Sequence, residues 1–420
     1  MKQSRMDPSP RRAERNWPPV VVGGAYQTGV VLMRNLARRG VATFCVDTGR
    51  GRPGFKTVYG RAFECPDPDA EPAAWLGFML DLARKLRAKP VLIPSADRFV
   101  SAIARHAREL EASFLFCQSA AAVQALLATK QRQYDIAASH GLPVPRTQFV
   151  TSLAEVVAFG ERARFPCILK PLHEREWGHV PRGHPLWDTK LLVAASPREL
   201  AARYRLVSQI TPQLVVQEVV EGPDTAKLVY LSCYGRDGRR LGSCVFRQLR
   251  VTPINFGSAS VVEPVSDPET DSLCDNFLRG IGYAGLCEIE LKRDSRDGRV
   301  KMIEANPRYS VTADAAPYAG VDLGWIHYLD LIGVPVAELT PESRAFRHIV
   351  LQRDFATIGS YRRAGLLSWG SLIRSYRPPV AFFDFDLRDW RVTASTIASL
   401  ARIVLGPPIR RLFSKWRRGA

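Results

Sequence analysis

The fold of this chain is decided by the stretch Gly285-Leu-Cys-Glu-Ile-Glu-Leu-Lys-Arg-Asp-Ser-Arg-Asp-Gly-Arg-Val-Lys-Met-Ile-Glu-Ala-Asn-Pro-Arg308. Two runs of alternating apolar and polar residues flank a cluster of turn residues, Asp294 to Gly298, and this pattern predicts a β-hairpin. Successive side chains of a strand point to opposite faces. Ile289 and its apolar neighbours therefore share one face of the first strand, and Glu288, Glu290 and Lys292 share the other.

The acidic face of this hairpin predicts a metal site. Glu304 and Asn306 share one face of the second strand, and pairing of the two strands brings them beside Glu290. Mg²⁺ prefers one or two carboxylates together with phosphate oxygens and water, so these three side chains suit it, with Mn²⁺ as the alternative ion. Glu288 shares the acidic face and is the alternative to Glu290. The competing interpretation is an edge hairpin whose charges face water, since charged strand faces are common.

The string Glu304-Ala-Asn-Pro-Arg308, with Glu290 fourteen positions earlier, resembles the metal-binding end of ATP-grasp enzymes. The resemblance implies that Glu290, Glu304 and Asn306 bind Mg²⁺ and that ATP is the cofactor. Arg308 lies just beyond these ligands, where a cation stabilises an acyl phosphate or a tetrahedral oxyanion.

The length and charge of the chain set the bounds of its organisation. A chain of 420 residues predicts two or three domains. The net charge is +18, and half of it comes from the two ends, +3 from residues 1–16 and +6 from residues 401–420. The body is only mildly basic, and basicity alone does not separate an ATP-using enzyme from a nucleic-acid-binding protein. We expect small-molecule substrates and no nucleic-acid partner.

The eight cysteines are scattered and form no Cys-x-x-Cys pair, which predicts small buried thiols and a reduced, cytoplasmic location. The first residues have no apolar stretch after their basic residues, so we expect no signal peptide. No uninterrupted apolar run approaches the roughly 20 residues that a membrane-spanning helix needs.

The amino-terminal part of the chain predicts a parallel α/β sheet. Pro19 to Ala25 is an apolar strand entering a glycine turn, and a helix and a second strand ending at Asp47 follow. The glycines of this turn do not spell G-x-G-x-x-G, but with Asp47 they leave a dinucleotide site as an alternative. Ser95 and Asp97 follow a later strand, and we expect them to cap the next helix.

Two lysines extend the resemblance to ATP-grasp enzymes. Lys130 lies on a helical stretch that ends at Gly141-Leu-Pro-Val-Pro-Arg-Thr147, and Lys170 ends the apolar strand Phe165-Pro-Cys-Ile-Leu-Lys-Pro171. In the family, such lysines meet the phosphates of ATP, where they act as point charges. An apolar strand ending in Lys-Pro is an ordinary structural feature when it stands alone.

The strand from Leu214 to Gly222 resembles the hinge of the family, which binds the adenosine part of ATP. The resemblance implies that backbone groups of Glu218, Val219 and Val220 face adenine and that Glu221 or Asp224 binds the ribose hydroxyls. An ordinary strand end is the alternative.

Arginines follow this hinge in the next pair of predicted strands. We expect Arg250 or Arg247 to reach the phosphates, and the pattern does not choose between them. Surface arginines on a sheet are the competing explanation.

Three further segments have a distinctive composition. The histidine-rich loop 173–184 has no zinc-site spacing, and we expect it to act as a lid over the phosphates. From Phe346 the chain is rich in arginine and aromatic residues, which is typical of a surface layer or, less often, of a site for single-stranded nucleic acid. The last twenty residues have the composition of an interfacial anchor on an anionic membrane, and a soluble basic tail is the alternative.

Together these features and the resemblance imply an α/β protein in four parts. They are a disordered basic tail (1–17), a Rossmann-like pre-ATP-grasp domain (18–122), an ATP-grasp domain of two α+β subdomains (123–340) and a basic aromatic C-terminal extension (341–420).

The implied activity is ATP-dependent ligation of a carboxylate to an amine through an acyl phosphate. An NAD(P)-dependent oxidoreductase and a non-catalytic ATP-binding protein, regulatory or at a membrane surface, are the alternatives.

Overall fold

The computed structural model describes residues 17–117, 126, 130–171, 180, 186 and 191–416, without the side chains of residues 130, 131 and 405–416. The predicted disordered tail, except Trp17, and nearly all of the loop 173–184 lie outside these residues.

The described residues form fifteen strands and twelve α-helices, numbered here along the chain. The strands are β1 (Val20–Gly23), β2 (Thr43–Asp47), β3 (Arg61–Glu64), β4 (Val91–Pro94), β5 (Thr147–Val150), β6 (Cys167–Pro171), β7 (Leu192–Ala194), β8 (Leu214–Glu218), β9 (Lys227–Tyr234), β10 (Arg240–Thr252), β11 (Ser258–Val265), β12 (Gly285–Arg293), β13 (Val300–Asn306), β14 (Arg347–Ile349) and β15 (Val380–Phe382). The helices are α1 (Gln27–Ala37), α2 (Pro72–Leu86), α3 (Asp97–Arg105), α4 (Ala107–Leu110), α5 (Lys130–Ser139), α6 (Leu153–Gly160), α7 (Pro197–Val207), α8 (Pro268–Gly280), α9 (Leu323–Leu331), α10 (Leu351–Arg363), α11 (Trp369–Ser375) and α12 (Trp390–Trp416).

The first sheet is parallel and has the strand order β3-β2-β1-β4. Its apolar strands are buried on both faces, because α2 and α3 cover one side and α1 covers the other. This is the parallel α/β arrangement that the amino-terminal pattern predicts. The carboxyl ends of β1 and β4 therefore lie at one edge of the sheet, where ligand crevices form in such folds.

The second sheet is small and antiparallel, with the order β5-β8-β6-β7. Helices α6 and α7 pack on one face around Phe159 and Tyr204. Ser152 and Glu155 form a capping box at the start of α6, which satisfies backbone N–H groups that a helix leaves unpaired. Ser196 likewise accepts a hydrogen bond from the Glu199 backbone N–H at the start of α7.

The third sheet has seven strands in the order β13-β12-β9-β10-β11-β14-β15. Both of its faces are covered. Tyr230 and Ile289 lie on the face that packs against α5 and α8, and Val229 and Leu231 lie on the face that packs against α9 and the first sheet. The second face is the one that carries the predicted acidic side chains.

The residues beyond 346 continue this third sheet. Strand β14 pairs with β11, β15 pairs with β14, and α10 packs against β10 and β11. The predicted boundary at residue 341 therefore falls between strands of one sheet. Of the helices that the structure describes, none is long and apolar enough to cross a membrane.

The cysteines are free, and seven of the eight are buried, as their apolar surroundings predict. Burial raises the pKa of thiols such as Cys45 to about 12, so these side chains are inert packing groups.

Candidate active site

Strands β12 and β13 form the predicted hairpin, and their register places the acidic side chains together. Glu290 lies opposite Glu304, and Glu288 lies opposite Asn306. Residues directly opposite in an antiparallel pair point to the same face, so all four side chains share the face toward the first sheet. The alternate residues, such as Ile289, are buried in the core on the other side.

Glu288 differs from the other acids of this face because it is buried. Its carboxylate accepts hydrogen bonds from the Ser310 hydroxyl at 2.7 Å and from the Asn306 amide at 3.4 Å. This second bond directs the amide nitrogen of Asn306 toward Glu288 and leaves its oxygen on the opposite side. Glu290 and Glu304 are only half-buried.

This donor set fits a magnesium ion. Glu290 and Glu304 supply two carboxylates and Asn306 an amide oxygen, and Mg²⁺ favours few protein oxygens completed by phosphate and water. Among the residues that the structure describes, no three His, Cys, Asp or Glu side chains are arranged to hold a metal by themselves. Any ion held here therefore depends on the amide and on oxygens of a ligand.

Arg308 connects the hairpin to the first sheet. Its guanidinium donates to Asp97 at the start of α3 at 2.5 Å and to the amide oxygen of Asn306 at 3.1 Å. Burial lowers the pKa of Arg308, but Asp97, Glu288 and Glu304 outweigh burial and raise it, so the side chain is a permanent cation. It lies where the sequence predicts an anion-stabilising group.

The predicted capping role of Ser95 and Asp97 is wrong. Helix α3 has no side-chain cap, because the Ser95 hydroxyl donates to the backbone oxygens of Gly23 and Gly24 and Asp97 pairs with Arg308. The carboxyl edge of the first sheet therefore faces the acidic hairpin.

Lys170 lies at the end of β6, as predicted, and is linked to the hairpin through an aromatic residue. Its ammonium group donates to Gln217 at 3.1 Å and lies 5.9 Å from the ring centroid of Tyr134, whose hydroxyl donates to the Ile303 backbone oxygen at 2.6 Å. Ile303 directly precedes Glu304.

Lys130 begins α5, but its side chain lies outside the described residues. The helix itself is fastened to β13, because Gln133 exchanges two hydrogen bonds with the backbone of Ala305.

The predicted hinge leaves the second sheet at Glu218 and is tied to the hairpin turn. Val219 donates its N–H to Pro166 at 2.9 Å and accepts a hydrogen bond from Arg296 at 2.7 Å, and Glu221 accepts one from the Ser295 backbone. Both backbone groups of Val219 are thus used within the protein. A base bound at this hinge would meet Val220 and the N–H of Glu221.

Asp224 is buried and keeps one oxygen for a further contact. Its Oδ2 accepts hydrogen bonds from Tyr361 at 2.5 Å and from the Asn255 backbone at 3.2 Å. Its Oδ1 has no hydrogen-bond partner and lies 3.6 Å from the ammonium group of Lys227. Buried acceptors are normally satisfied, and the group that faces this oxygen is the Lys227 ammonium group.

Two lysines to which the sequence analysis gave no role lie beside the acids, the buried Lys292 and the partly buried Lys227. Lys227 and Lys292 lie opposite each other on β9 and β12, on the face that carries Glu290. Burial lowers the pKa of both ammonium groups, although Asp224 and Glu290 act in the opposite direction on Lys227. Lys292 follows Glu290 by two residues, so strand alternation already assigns it to the acidic face.

Neither predicted phosphate-binding arginine is turned toward the acids. Arg247 lies on the opposite face of β10 and pairs with Glu263 at 3.2 Å. Arg250 is buried and donates to both oxygens of Asp354 at 2.7 Å and to Ser375 at 3.1 Å. This geometry does not support the predicted contact of Arg250 with phosphate, because its guanidinium closes an internal ion pair.

A further arginine that interacts electrostatically with the acids is Arg353, the neighbour of Asp354 on α10. Burial lowers its pKa, against the attraction of Glu288, Glu290 and Asp384. Its guanidinium donates to the Ala259 backbone oxygen at 3.1 Å. The sequence offers no local signal for this position, because α10 begins 45 residues after the hairpin ends.

The dinucleotide alternative finds no support in the glycine turn. Asp47 is fully buried, accepts the N–H of Ala25 at 2.8 Å and forms an ion pair with Arg98. A Cβ atom at Gly29 would lie 2.1 Å from the Gly24 carbonyl oxygen, so close packing of the turn explains this glycine without a ligand.

Comparison with known proteins agrees with the geometry of this cleft. No protein-family model matches the chain. It is 23% identical to D-aspartate ligase of Enterococcus faecium over 302 residues, which are 70% of this chain and 68% of that protein.

Two solved structures are similar in fold. One is N5-carboxyaminoimidazole synthetase from Staphylococcus aureus complexed with ADP, with a TM-score of 0.61, 13% identity and coverage of 83% of this chain and 86% of that one. The other is the biotin carboxylase domain of Hydrogenobacter thermophilus 2-oxoglutarate carboxylase in complex with MgADP and bicarbonate, with a TM-score of 0.59, 15% identity and coverage of 77% and 71%. The chain shares the fold of these two structures, and the order of its motifs resembles that of ATP-grasp enzymes.

Proposed function

We propose that the chain is an ATP-dependent ligase that joins a carboxylate to an amine. The observation that carries this proposal is the hairpin register, which collects Glu290, Glu304 and Asn306 on the face toward the first sheet. The similarity to D-aspartate ligase supports the reaction class.

The nucleotide would lie between the second and third sheets. Lys170 and Lys130 are the proposed phosphate contacts, Val220 and Glu221 face the base, and Oδ1 of Asp224 accepts a ribose hydroxyl. Lys227 is a further candidate for phosphate, because its ammonium group lies between Asp224 and Glu290. When bound at Glu290, Glu304 and Asn306, Mg²⁺ or Mn²⁺ would offset the negative charge that gathers on the phosphates.

The reaction divides into two transfers. An oxygen of the substrate carboxylate attacks the γ-phosphorus, the bond to ADP breaks, and an acyl phosphate forms. The amine nitrogen then attacks the acyl carbon and loses a proton, and inorganic phosphate leaves. Arg308 is the cation placed to stabilise the oxyanion of this second step, while Asp97 fixes its guanidinium.

The substrates are proposed to be small molecules of the amino-acid class. This follows from the similarity to D-aspartate ligase, whose name gives an amino acid as its substrate. We place the enzyme in the cytoplasm, where ATP is plentiful and where eight free thiols stay reduced.

The proposal is tested by ATP turnover with defined substrate mixtures. The purified chain with Mg²⁺ and ATP is incubated with pairs of amino-acid carboxylates and amines, and ADP, phosphate and product mass are measured. We expect ADP release that requires both partners, with a product equal to their sum less one water. Binding of ATP without turnover on any pair would favour the non-catalytic alternative, and oxidation of a nicotinamide cofactor would contradict the ligase.

A further inference from the structure

Large apolar side chains are concentrated on the surface of the C-terminal helices. Within the described part of the chain, those that are at least half exposed all lie between residues 366 and 404. They form what we call the C-terminal apolar surface: Leu366, Trp369, Ile373, Leu387, Trp390, Ile397 and Val404. Elsewhere among the described residues the most exposed one is Val58, at 47%. Exposed apolar side chains concentrated in this way mark interaction sites.

The charge around this surface has one sign. Residues 361–420 contain twelve basic and three acidic residues. The three acids are turned inward: Asp384 accepts backbone N–H groups at the start of α10, Asp386 pairs with Arg38, and Asp389 accepts the Thr57 hydroxyl. The acids are thus used in folding, and the outward charge is basic.

The exposed arginines accompany the apolar side chains along the helices. They are Arg363, Arg374, Arg377, Arg388, Arg391 and Arg402. Helix α12 is anchored to α10 by its inner side chains, including Val392 and Thr396, so Ile397 and Val404 remain on its outer side. Exposed apolar and basic side chains therefore occur together along residues 363–404.

We propose that the C-terminal apolar surface binds an anionic phospholipid bilayer and lies in its interface. Leucine, isoleucine, valine and tryptophan side chains gain free energy by leaving water for the boundary between head groups and acyl chains. Arginines at the same level attract acidic head groups. The proposal goes beyond the ligase activity, since none of these side chains lies in the active-site cleft.

The side-chain types favour lipid over single-stranded nucleic acid. Bases bind through stacking on exposed aromatic faces, but five of the seven apolar side chains are aliphatic. Each of the two tryptophans already has an arginine near its ring. The Arg362 guanidinium lies 3.9 Å from the Trp369 ring centroid, and the Arg391 guanidinium lies 5.3 Å from the Trp390 ring centroid. Aliphatic side chains contribute to burial in lipid and not to base stacking.

The test is sedimentation of the full chain with vesicles. Vesicles of phosphatidylcholine alone are compared with vesicles of equal parts phosphatidylcholine and phosphatidylglycerol. We expect binding to the anionic vesicles only, weakened by salt. Trp369→Ala and Leu387→Ala should each lower the partition coefficient by about tenfold. Replacing Arg391 by glutamine should lower it by about fivefold.

The matched control is Val157→Ala, which removes a similarly exposed side chain, 43% exposed, from α6 outside this surface. It should bind like the unchanged chain, and all variants should keep its thermal unfolding and its ATP turnover in solution. Failure to bind anionic vesicles would overturn the proposal. A second result would also overturn it: the chain does not bind vesicles but binds a single-stranded oligonucleotide or self-associates, and the same variants abolish that binding or self-association.

Discussion

The hairpin β12–β13 and the helix α10 both contribute side chains to the cleft, but their contacts differ in sequence separation. In the hairpin, Glu290 and Glu304 are fourteen residues apart and are brought together by strand pairing alone. In the helix, Asp354 pairs with Arg250 over 104 residues, and Tyr361 bonds Asp224 over 137 residues. The comparison teaches that the acidic face of the cleft is a local structure, whereas the contacts of α10 depend on the whole fold.

The two regions also differ in burial. Glu290 and Glu304 are half-buried and therefore accessible to ligands. Asp354 is fully buried and Arg250 nearly so. An accessible acid contributes to chemistry and little to stability, whereas a buried ion pair is costly to break. Substitutions in the two regions should therefore separate turnover from stability.

The largest effect is expected in the hairpin. Glu304→Ala removes a proposed metal ligand and should abolish substrate-stimulated ADP release, while the thermal unfolding midpoint stays unchanged. ADP release and calorimetry check the two halves of this prediction. Glu263→Ala, an acid on the opposite face of the same sheet, is the control and should keep turnover. An active Glu304→Ala enzyme would contradict the metal assignment.

The next effect is expected in the helix. Asp354→Ala leaves Arg250 buried without its partner and should lower the free energy of unfolding by about 3 to 5 kcal/mol. Urea unfolding measures this change. Glu64→Ala, which breaks the exposed ion pair with Arg50, should cost less than about 1 kcal/mol. Similar losses in both variants would show that the buried pair is not the anchor of α10.

A third substitution tests whether α10 contributes to chemistry as well. Arg353→Met removes the guanidinium that lies among Glu288, Glu290 and Asp384, and should lower kcat/KM by about 10- to 100-fold through the loss of charge stabilisation. Arg363→Met, on the exposed side of the same helix, is the control. If both variants turn over normally, α10 has a structural role only, in contrast to the proposed catalytic role of the hairpin.

The smallest effect concerns the nucleotide side. Tyr361→Phe removes the hydroxyl that donates to Asp224 and should raise the KM for ATP about fivefold, which corresponds to about 1 kcal/mol for one hydrogen bond. Tyr376→Phe, whose hydroxyl donates to Asp354 instead, should change stability and leave the KM for ATP as it is. An unchanged KM in Tyr361→Phe would remove Asp224 from the nucleotide site.

Sequence reasoning succeeded where neighbours in the chain are neighbours in space. The hairpin, its two faces, the parallel amino-terminal sheet and the strand-end position of Lys170 follow from periodicity and turn residues. Lys292 was open to the same reasoning, because it continues the alternation of Glu288 and Glu290. The capping role expected of Asp97 failed, since no local pattern shows that Arg308 lies opposite it.

By itself, the sequence determined the acidic hairpin and the α/β class, because strand alternation and turn chemistry act within a few residues. Only the tertiary structure decided which arginine faces the acids. Arg250 and Arg353 look alike in the sequence. A buried arginine requires an acidic partner, however, and Asp354 is the partner of Arg250. That ion pair anchors α10 and leaves the neighbouring Arg353 among the acids of the site.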